Sequence, residues 1–291
     1  MTSGDLLPTD ARRTWRSLEA VHGMIYFTSL APPEYAKAGV TRNRTGYFAS
    51  RAAAMGAVDA EVVVATFYNF SPGLVRHAMR DVWSLTTPAA MLAARLRAVD
   101  ASLRHAFDDE LLASPEMAQA AGWLREAALA ACERPEGRPL FAGHAALPWP
   151  DEPHLVLWHA QTLLREFRGD GHIAALVMEE LSGLDALVSH AASGDVPAAA
   201  LQATRAYTDD EWAAGVESMA ARGLVHPDGT FTEAGRAQRD RIEAATDRLA
   251  FAPWAALGPE RCDHLRTFGK LVSRRVVDAG LLVVDPSRFA D

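Results

Sequence analysis

The chain has 291 residues, 49% of them hydrophobic and 23% charged, with a formal net charge of −8. That length allows two units of ordinary domain size, each able to bury a core, and the balance is that of a globular protein. The acidic excess argues against a general affinity for nucleic acid, and no apolar run nears the ~20 residues of a membrane span. Cys132 and Cys262 stand far apart with no metal or redox spacing, so they read as reduced thiols of a cytoplasmic protein. The opening segment, Met1 to Pro8, lacks a basic stretch followed by an apolar one, so no secretion signal is expected.

Trp15, Leu18, Val21, Ile25 and Leu30 recur at helical spacing and predict a helix over 11–30, stopped by Pro32-Pro33. A basic turn, Thr41 to Thr45, leads through Gly46 into a helix over 47–55, and Asp59 can cap the next, which carries the Val-rich run to Phe70. Pro72 and Pro88 sit where helices start, the second opening a long helix over 89–107, and Ser114-Pro115-Glu116 begins another. Arg134 to Pro139 reads as a linker, which divides the chain into halves 1–137 and 138–291. In the second half helices are expected over 153–167 and 172–181, separated by a turn at Arg168-Gly-Asp-Gly171, and a short one near 184–192. Thr208 and Glu211 have capping-box spacing for a helix over 209–222. Residues 223–232 read as a short β-hairpin around Pro-Asp-Gly, followed by helices over 233–250 and 259–279. The fold class expected is mainly α, with one small hairpin wing.

An internal echo supports two related halves. Arg138-Pro-Leu-Phe-Ala-Gly-His-Ala-Ala-Leu147 returns 110 residues later as Arg248-Leu-Ala-Phe-Ala-Pro-Trp-Ala-Ala-Leu257, and the same offset sets His154-Leu155 on His264-Leu265. A weaker echo aligns Gly46-Tyr47 with Gly171-His172. The reading is a duplicated helical chain packed as an intramolecular pseudo-dimer.

The order helix, Arg-Gly-Leu-Val, Asp-Gly turn, Thr-Glu-Ala-Gly, long helix, centred on Met219 to Gly235, resembles the winged helix-turn-helix of MarR-type regulators. The whole chain is also similar to a group of actinobacterial proteins with Gly-Tyr-Phe-Ala-Ser-Arg, Phe-Tyr-Asn-Phe, Leu-Pro-Trp-Pro-Asp and Arg-Gly-Asp-Gly-His phrases. The MarR resemblance implies a homodimer or its single-chain equivalent, a ligand between the dimerisation helices and the winged helix, and a recognition helix over 209–222. The residues of that helix oppose DNA binding. It starts Asp209-Asp210-Glu211, Glu217 follows, and residues 205–250 hold six basic against nine acidic side chains. Acids repel phosphate, although they also suit the positive end of a helix dipole.

The chemically densest stretch is His154 to His172. On a helix, Trp158 and Arg165 share a stripe, as do His159, Thr162 and Glu166, whereas His154 and His159 lie about 140° apart. Arg168, Asp170 and His172 fall on the expected turn; a His/Asp pair there suits general acid–base work, so Asp170 and His172 are the catalytic candidates. The bland alternative is that Asp170 caps a helix and Arg168 pairs with a carboxylate. The internal repeat brings His22, Tyr26, Tyr47 and Arg51 to the same volume, and Tyr68, Asn69 and His144 stand in apolar and aromatic surroundings. With Trp158, His159, Arg165 and Arg168 they make a candidate ligand site, mostly apolar with a few polar groups. His144, His159 and His172 could converge on a metal, but buried histidines are commoner; no metal and no cofactor are expected, since no metalloprotease, redox, nucleophile-elbow or phosphate-loop motif is present. The expectation is a monomeric or homodimeric protein that binds a small aromatic or apolar molecule, or a cofactor-independent biosynthetic or modifying enzyme, with DNA binding expected to be lost and no membrane partner. The alternative is a ligand-responsive regulator.

Overall fold

The computed structural model describes residues 5–282; residues 1–4 of the opening segment and 283–291 lie outside it. In chain order the helices are α1 (Pro8–Ser17), α2 (Glu19–Gly23), α3 (Ala31–Lys37), α4 (Asn43–Ala52), α5 (Ala60–Phe67), α6 (Pro72–Met79) and α7 (Val82–Leu85). There follow α8 (Pro88–Ala106), α9 (Asp109–Leu112), α10 (Pro115–Cys132), α11 (Pro139–Ala145) and α12 (Pro153–Met178). The last five are α13 (Gly183–Ala192), α14 (Ala198–Arg205), α15 (Asp209–Ala221), α16 (Glu233–Leu249) and α17 (Ala252–Asp278). Local chemistry starts several of them. Thr87 and Ser114 accept the N–H of Ala90 and Met117 ahead of Pro88 and Pro115, and Thr208 with Glu211 closes a capping box on α15.

Three expectations are corrected. The helix over 11–30 is instead α1, α2 and a 3-10 turn, Met24–Tyr26, and Pro32-Pro33 starts α3 instead of stopping a helix. Proline costs nothing in a first turn, where its missing N–H has no intrahelical partner anyway. The turn at 168–171 does not exist: α12 runs unbroken for 26 residues. The hairpin wing reduces to one antiparallel bridge, Val225 with Phe231, beside a His226 N–H to Thr230 carbonyl bond of 2.8 Å. Too few residues flank the Pro-Asp-Gly turn to extend a ladder, and Pro227 has no N–H to give one.

The described chain forms two compact units. Unit 1 holds residues 5–57, 81–170 and 247–282, and unit 2 holds 58–80 and 171–246. Both sides of the expected boundary at 137/138 therefore belong to unit 1. Arg138 ties that segment in, donating from Nε to the Phe167 carbonyl (3.3 Å) and from Nη2 to the Leu249 carbonyl (3.2 Å).

In unit 1, α17 packs on α1 and α10, and α8 packs on α3 and α4. Residues 154–164 of α12 are all buried, so this part of the helix has no solvent face. A helix buried all round must find partners inside for its polar side chains, and that gathers the site described below. Gly143 sets the position of α11: an added Cβ would lie 2.7 Å from the Ala54 carbonyl oxygen, so only glycine lets α11 approach the 3-10 turn Ala53–Met55. Unit 2 has its own core of Ala175, Leu176, Leu181, Ala186, Val188, Met219, Val225 and Ile242, with Trp212, Leu224 and Phe231 against it.

Candidate functional site

Unit 1 contains a buried group of arginines and rings. Arg51 comes from α4, Arg95 from α8, His22 from α2, Tyr26 from the following 3-10 turn and His144 from α11. Trp158, His159, Thr162, Arg165 and Glu166 come from α12. Arg95 is 2% exposed and His22 fully buried, while Tyr26 and Tyr47 are half-buried. The guanidinium carbons of Arg51, Arg165 and Arg95 lie 5.3, 5.6 and 5.8 Å from the centre of the Tyr26 ring, and Arg95 is also 5.3 Å from that of Trp158. Cations over ring faces are attracted by the ring quadrupole.

Two carboxylates answer part of this charge. Glu166 Oε1 accepts from Arg165 Nη1 at 3.0 Å and lies 3.7 Å from Arg51 Nη2. Arg165 Nε donates to Glu19 at 2.8 Å, and Arg51 Nη1 to the Tyr47 hydroxyl at 2.8 Å. Burial pushes the Glu166 carboxyl up, but Arg165 and then Arg51 outweigh it and hold it below its ordinary value. Burial raises Glu19 against the pull of Arg165. Arg95 has no such partner among the described residues. Its Nη1 donates to the Ser50 carbonyl at 3.0 Å, while Nε and Nη2 are buried without a hydrogen-bond partner in the chain. Trp158 Nε1, His144 Nε2 and His159 Nε2 are in the same condition.

The hydrogen-bond chain through His22 has a defined direction. Thr162 spends its only proton on the Trp158 carbonyl (2.9 Å), so it must accept from His22 Nδ1 (2.9 Å). Nε2 of a neutral His22 is then an acceptor and takes the proton of the Tyr26 hydroxyl at 2.7 Å. Burial, followed by the charges of Arg165, Arg95 and Arg51, holds His22 well below the ordinary imidazole value. His144 is lowered to about 3 by burial and Arg95, and His159 to about 4 by the same two causes. All three rings are therefore neutral hydrogen-bonding groups near pH 7.

Of the candidate ligand residues, His22, Tyr26, Tyr47, Arg51, His144, Trp158, His159 and Arg165 meet here. The segments around His22 and Thr162 meet at the 2.9 Å contact between these two side chains. Tyr68 and Asn69 belong to unit 2, where the Tyr68 hydroxyl donates to the Leu181 carbonyl. Arg168 pairs with Asp247 (2.8 Å) and lies over Trp15, so the bland reading of that residue holds. Asp170 and His172 do not form a catalytic pair. Two helical residues apart, they point about 200° from each other. Asp170 accepts the Phe141 N–H at 2.9 Å in unit 1, and His172 Nδ1 meets Thr246 Oγ1 at 2.9 Å in unit 2. No group of side chains suited to a metal ion occurs among the described residues. Sequence reasoning passed over Arg95, whose signal was an arginine inside the apolar stripe Met91, Ala94, Ala98, Val99 of α8, and over Glu19. It put Thr162 and Glu166 on one stripe without assigning them a role.

Unit 2 presents a second element. α14 and α15 are joined by the short turn 206–208, α15 packs on α13, and the Val225–Phe231 bridge follows. A helix-turn-helix family model matches residues 11–283. The chain belongs to that helix-turn-helix family. No curated protein and no solved structure matches it significantly. In this family member α15 exposes Asp209, Asp210, Glu211 and Glu217. Arg222, at its end, lies 3.5 Å from Asp185, Arg241 of α16 grips Glu179, and Asp228 in the turn between Val225 and Phe231 accepts the Thr230 N–H at 2.9 Å.

Proposed function

We propose that this helix-turn-helix family member binds a small organic molecule in unit 1, among Arg95, Trp158, His144, His159 and Tyr26, and that α15 does not read DNA. The reading rests above all on the Nε–Nη2 edge of Arg95. A buried guanidinium with two donors short of hydrogen-bond partners is costly, and a ligand group that accepts from them offsets that cost. Rings around a few convergent polar atoms are the usual lining of a ligand site. The acidic face of α15 supports the second half of the proposal, because each acid near phosphate opposes binding. The MarR-like character of unit 2 and the ancestral duplication belong to the same proposal, as does a cytoplasmic, monomeric or dimeric state. Family membership favours one other reading, a regulator that releases or takes up DNA when this site fills.

Ligand-observed NMR against a library of small organic molecules tests the proposal. Binders are expected for the wild type, with the signal lost in Trp158→Ala and kept in Asp209→Ala. Absence of binders, together with nanomolar operator binding that depends on α15, would overturn it in favour of a DNA-reading role.

A further inference from the structure

Away from the arginine–ring group, α1 and α17 enclose a groove with a polarised set of charges. α17 kinks at Gly258 (φ 79°), and its stretch 259–278 packs beside α1. The Thr14 hydroxyl lies 3.3 Å from the Cys262 carbonyl, and the Ser273 hydroxyl donates to the Ser17 carbonyl at 2.6 Å, so the two helices point the same way. Gly269 lets them approach, since a Cβ there would lie 2.5 Å from Ser17 Oγ. Both helices line an open groove of about 1410 Å³.

The charges of this groove are sorted along the helices. Asp10, Glu260 and Asp263 line the end where the two stretches begin, and Arg16 and Lys270 line the other. Arg13 and Arg266 stand between and are drawn back to acids, Arg13 to Asp10 at 3.1 Å and Arg266 to Asp263 at 2.7 Å. Arg16 and Lys270 are exposed and form no ion pair among the described residues. They flank the closest point of the two helices, each next in sequence to a contact residue, Ser17 or Gly269. Arg16 sits in the last turn of α1, where a cation suits the helix dipole, but Lys270 is mid-helix and has no such reason.

Two cations without an acid match the charge of one phosphoryl dianion. The arginine fork grips two phosphate oxygens, and lysine adds a point charge. A nucleic-acid strand fits poorly, because its next phosphates would meet the acidic end. We propose that this groove binds a bipolar phosphate monoester. Its phosphoryl group lies between Arg16 and Lys270, and its ammonium reaches Glu260 and Asp263, about 10 Å away for the seven residues from Asp263 to Lys270. The groove shares no residue with the group around Trp158.

NMR titration of the full chain with 6-aminohexyl phosphate, hexyl phosphate and 6-aminohexanol, in ~50 mM salt to limit screening, tests this. The amino phosphate is expected to bind about fivefold more tightly than hexyl phosphate, the scale of exposed ion pairs, and about 50-fold more tightly than the alcohol. Arg16→Gln with Lys270→Gln should weaken both phosphates about tenfold and, both side chains being exposed, leave the melting temperature unchanged. Glu260→Gln with Asp263→Asn should erase the advantage of the amino group while hexyl phosphate binds no more weakly, since Arg266 is then released. Trp158→Ala should leave all three affinities as they are, so failure here and failure of the site around Trp158 are read separately. Equal affinity of the two phosphates, binding that survives the loss of both cations, or loss of binding in Trp158→Ala would overturn the groove. A DNA duplex that displaces the amino phosphate at lower concentration would replace it by nucleic acid.

Discussion

Arg95 and Glu166 are both buried and charged, yet their local surroundings differ in a way that stability measurements resolve. Glu166 holds Arg165 and faces Arg51, so Glu166→Gln leaves two guanidinium groups short of a counter-charge. Loss of one partner from a buried pair costs about 3 kcal/mol. Arg95 has no carboxylate within ion-pair distance among the described residues and only a longer-range attraction to Glu166, so Arg95→Met should cost the protein much less than Glu166→Gln, within about 1 kcal/mol of wild type. Urea unfolding of both variants checks the contrast, and equal destabilisation would make Arg95 a structural residue. Protons provide a second handle. Asp170 is raised to about 7 by burial, against the opposing Phe141 N–H, so the folded state binds its proton more tightly than the unfolded chain does. Its contribution is full below the ordinary 3.8 and is lost as pH rises through about 7. His144 and His159 have the opposite sign: lowered to about 3 and about 4, they stabilise above the ordinary 6.5 and lose that contribution as pH falls. Between pH 4.5 and 6.5 the histidines make stability rise with pH and Asp170 offsets one of them. Asp170→Asn should therefore steepen the rise by about 1.4 kcal/mol per pH unit. A series of urea titrations across that interval reads the slope directly.

At the scale of the element, α12 is the informative case. Gly169 and Gly171 read as a turn because glycine costs a helix about 1 kcal/mol relative to alanine. Burial of the preceding residues and the pairings of Arg168 and Asp170 override that preference. A Cβ at Gly169 would meet only Glu166 Oε2, at an ordinary 3.6 Å. Gly169→Ala should thus stabilise the protein by about 0.5–1 kcal/mol, whereas a real turn would have been strained by it. Gly143→Ala should act in the opposite sense, since its Cβ would press on the Ala54 carbonyl and displace α11 with His144. Thermal melts of the two variants should move in opposite directions.

For the molecule as a whole, the net charge of −8 and the acidic α15 bear on the same question as family membership. Sequence-specific DNA-binding proteins typically reach about 10⁻⁸ M or tighter at physiological salt. The full chain is expected to show no footprint on the region upstream of its own gene at that concentration in ~150 mM salt. A protected site at such affinity would restore the regulator and require the acids of α15 to face away from the duplex.

What the amino-acid sequence determined alone was local. Thr87-Pro88, Ser114-Pro115 and Thr208 with Glu211 mark helix starts because a cap is satisfied by residues within one turn of it, and Pro72 marks another because a first turn needs no N–H from it. The acidic face of α15 and the shared stripes of α12 were legible for the same reason, a fixed angle per residue. Tertiary structure decided the rest. Whether Gly169 bends the chain, whether Arg95 lies on the surface or in the core, and which segments make up each unit depend on partners distant in sequence. The site residues from the first half, His22, Tyr26 and Arg51, join Trp158 and Arg165 only because the buried part of α12 must satisfy its polar side chains inside unit 1. Arg95 stands among them through helix packing, and no local rule announces that two of its donors are buried without a hydrogen-bond partner.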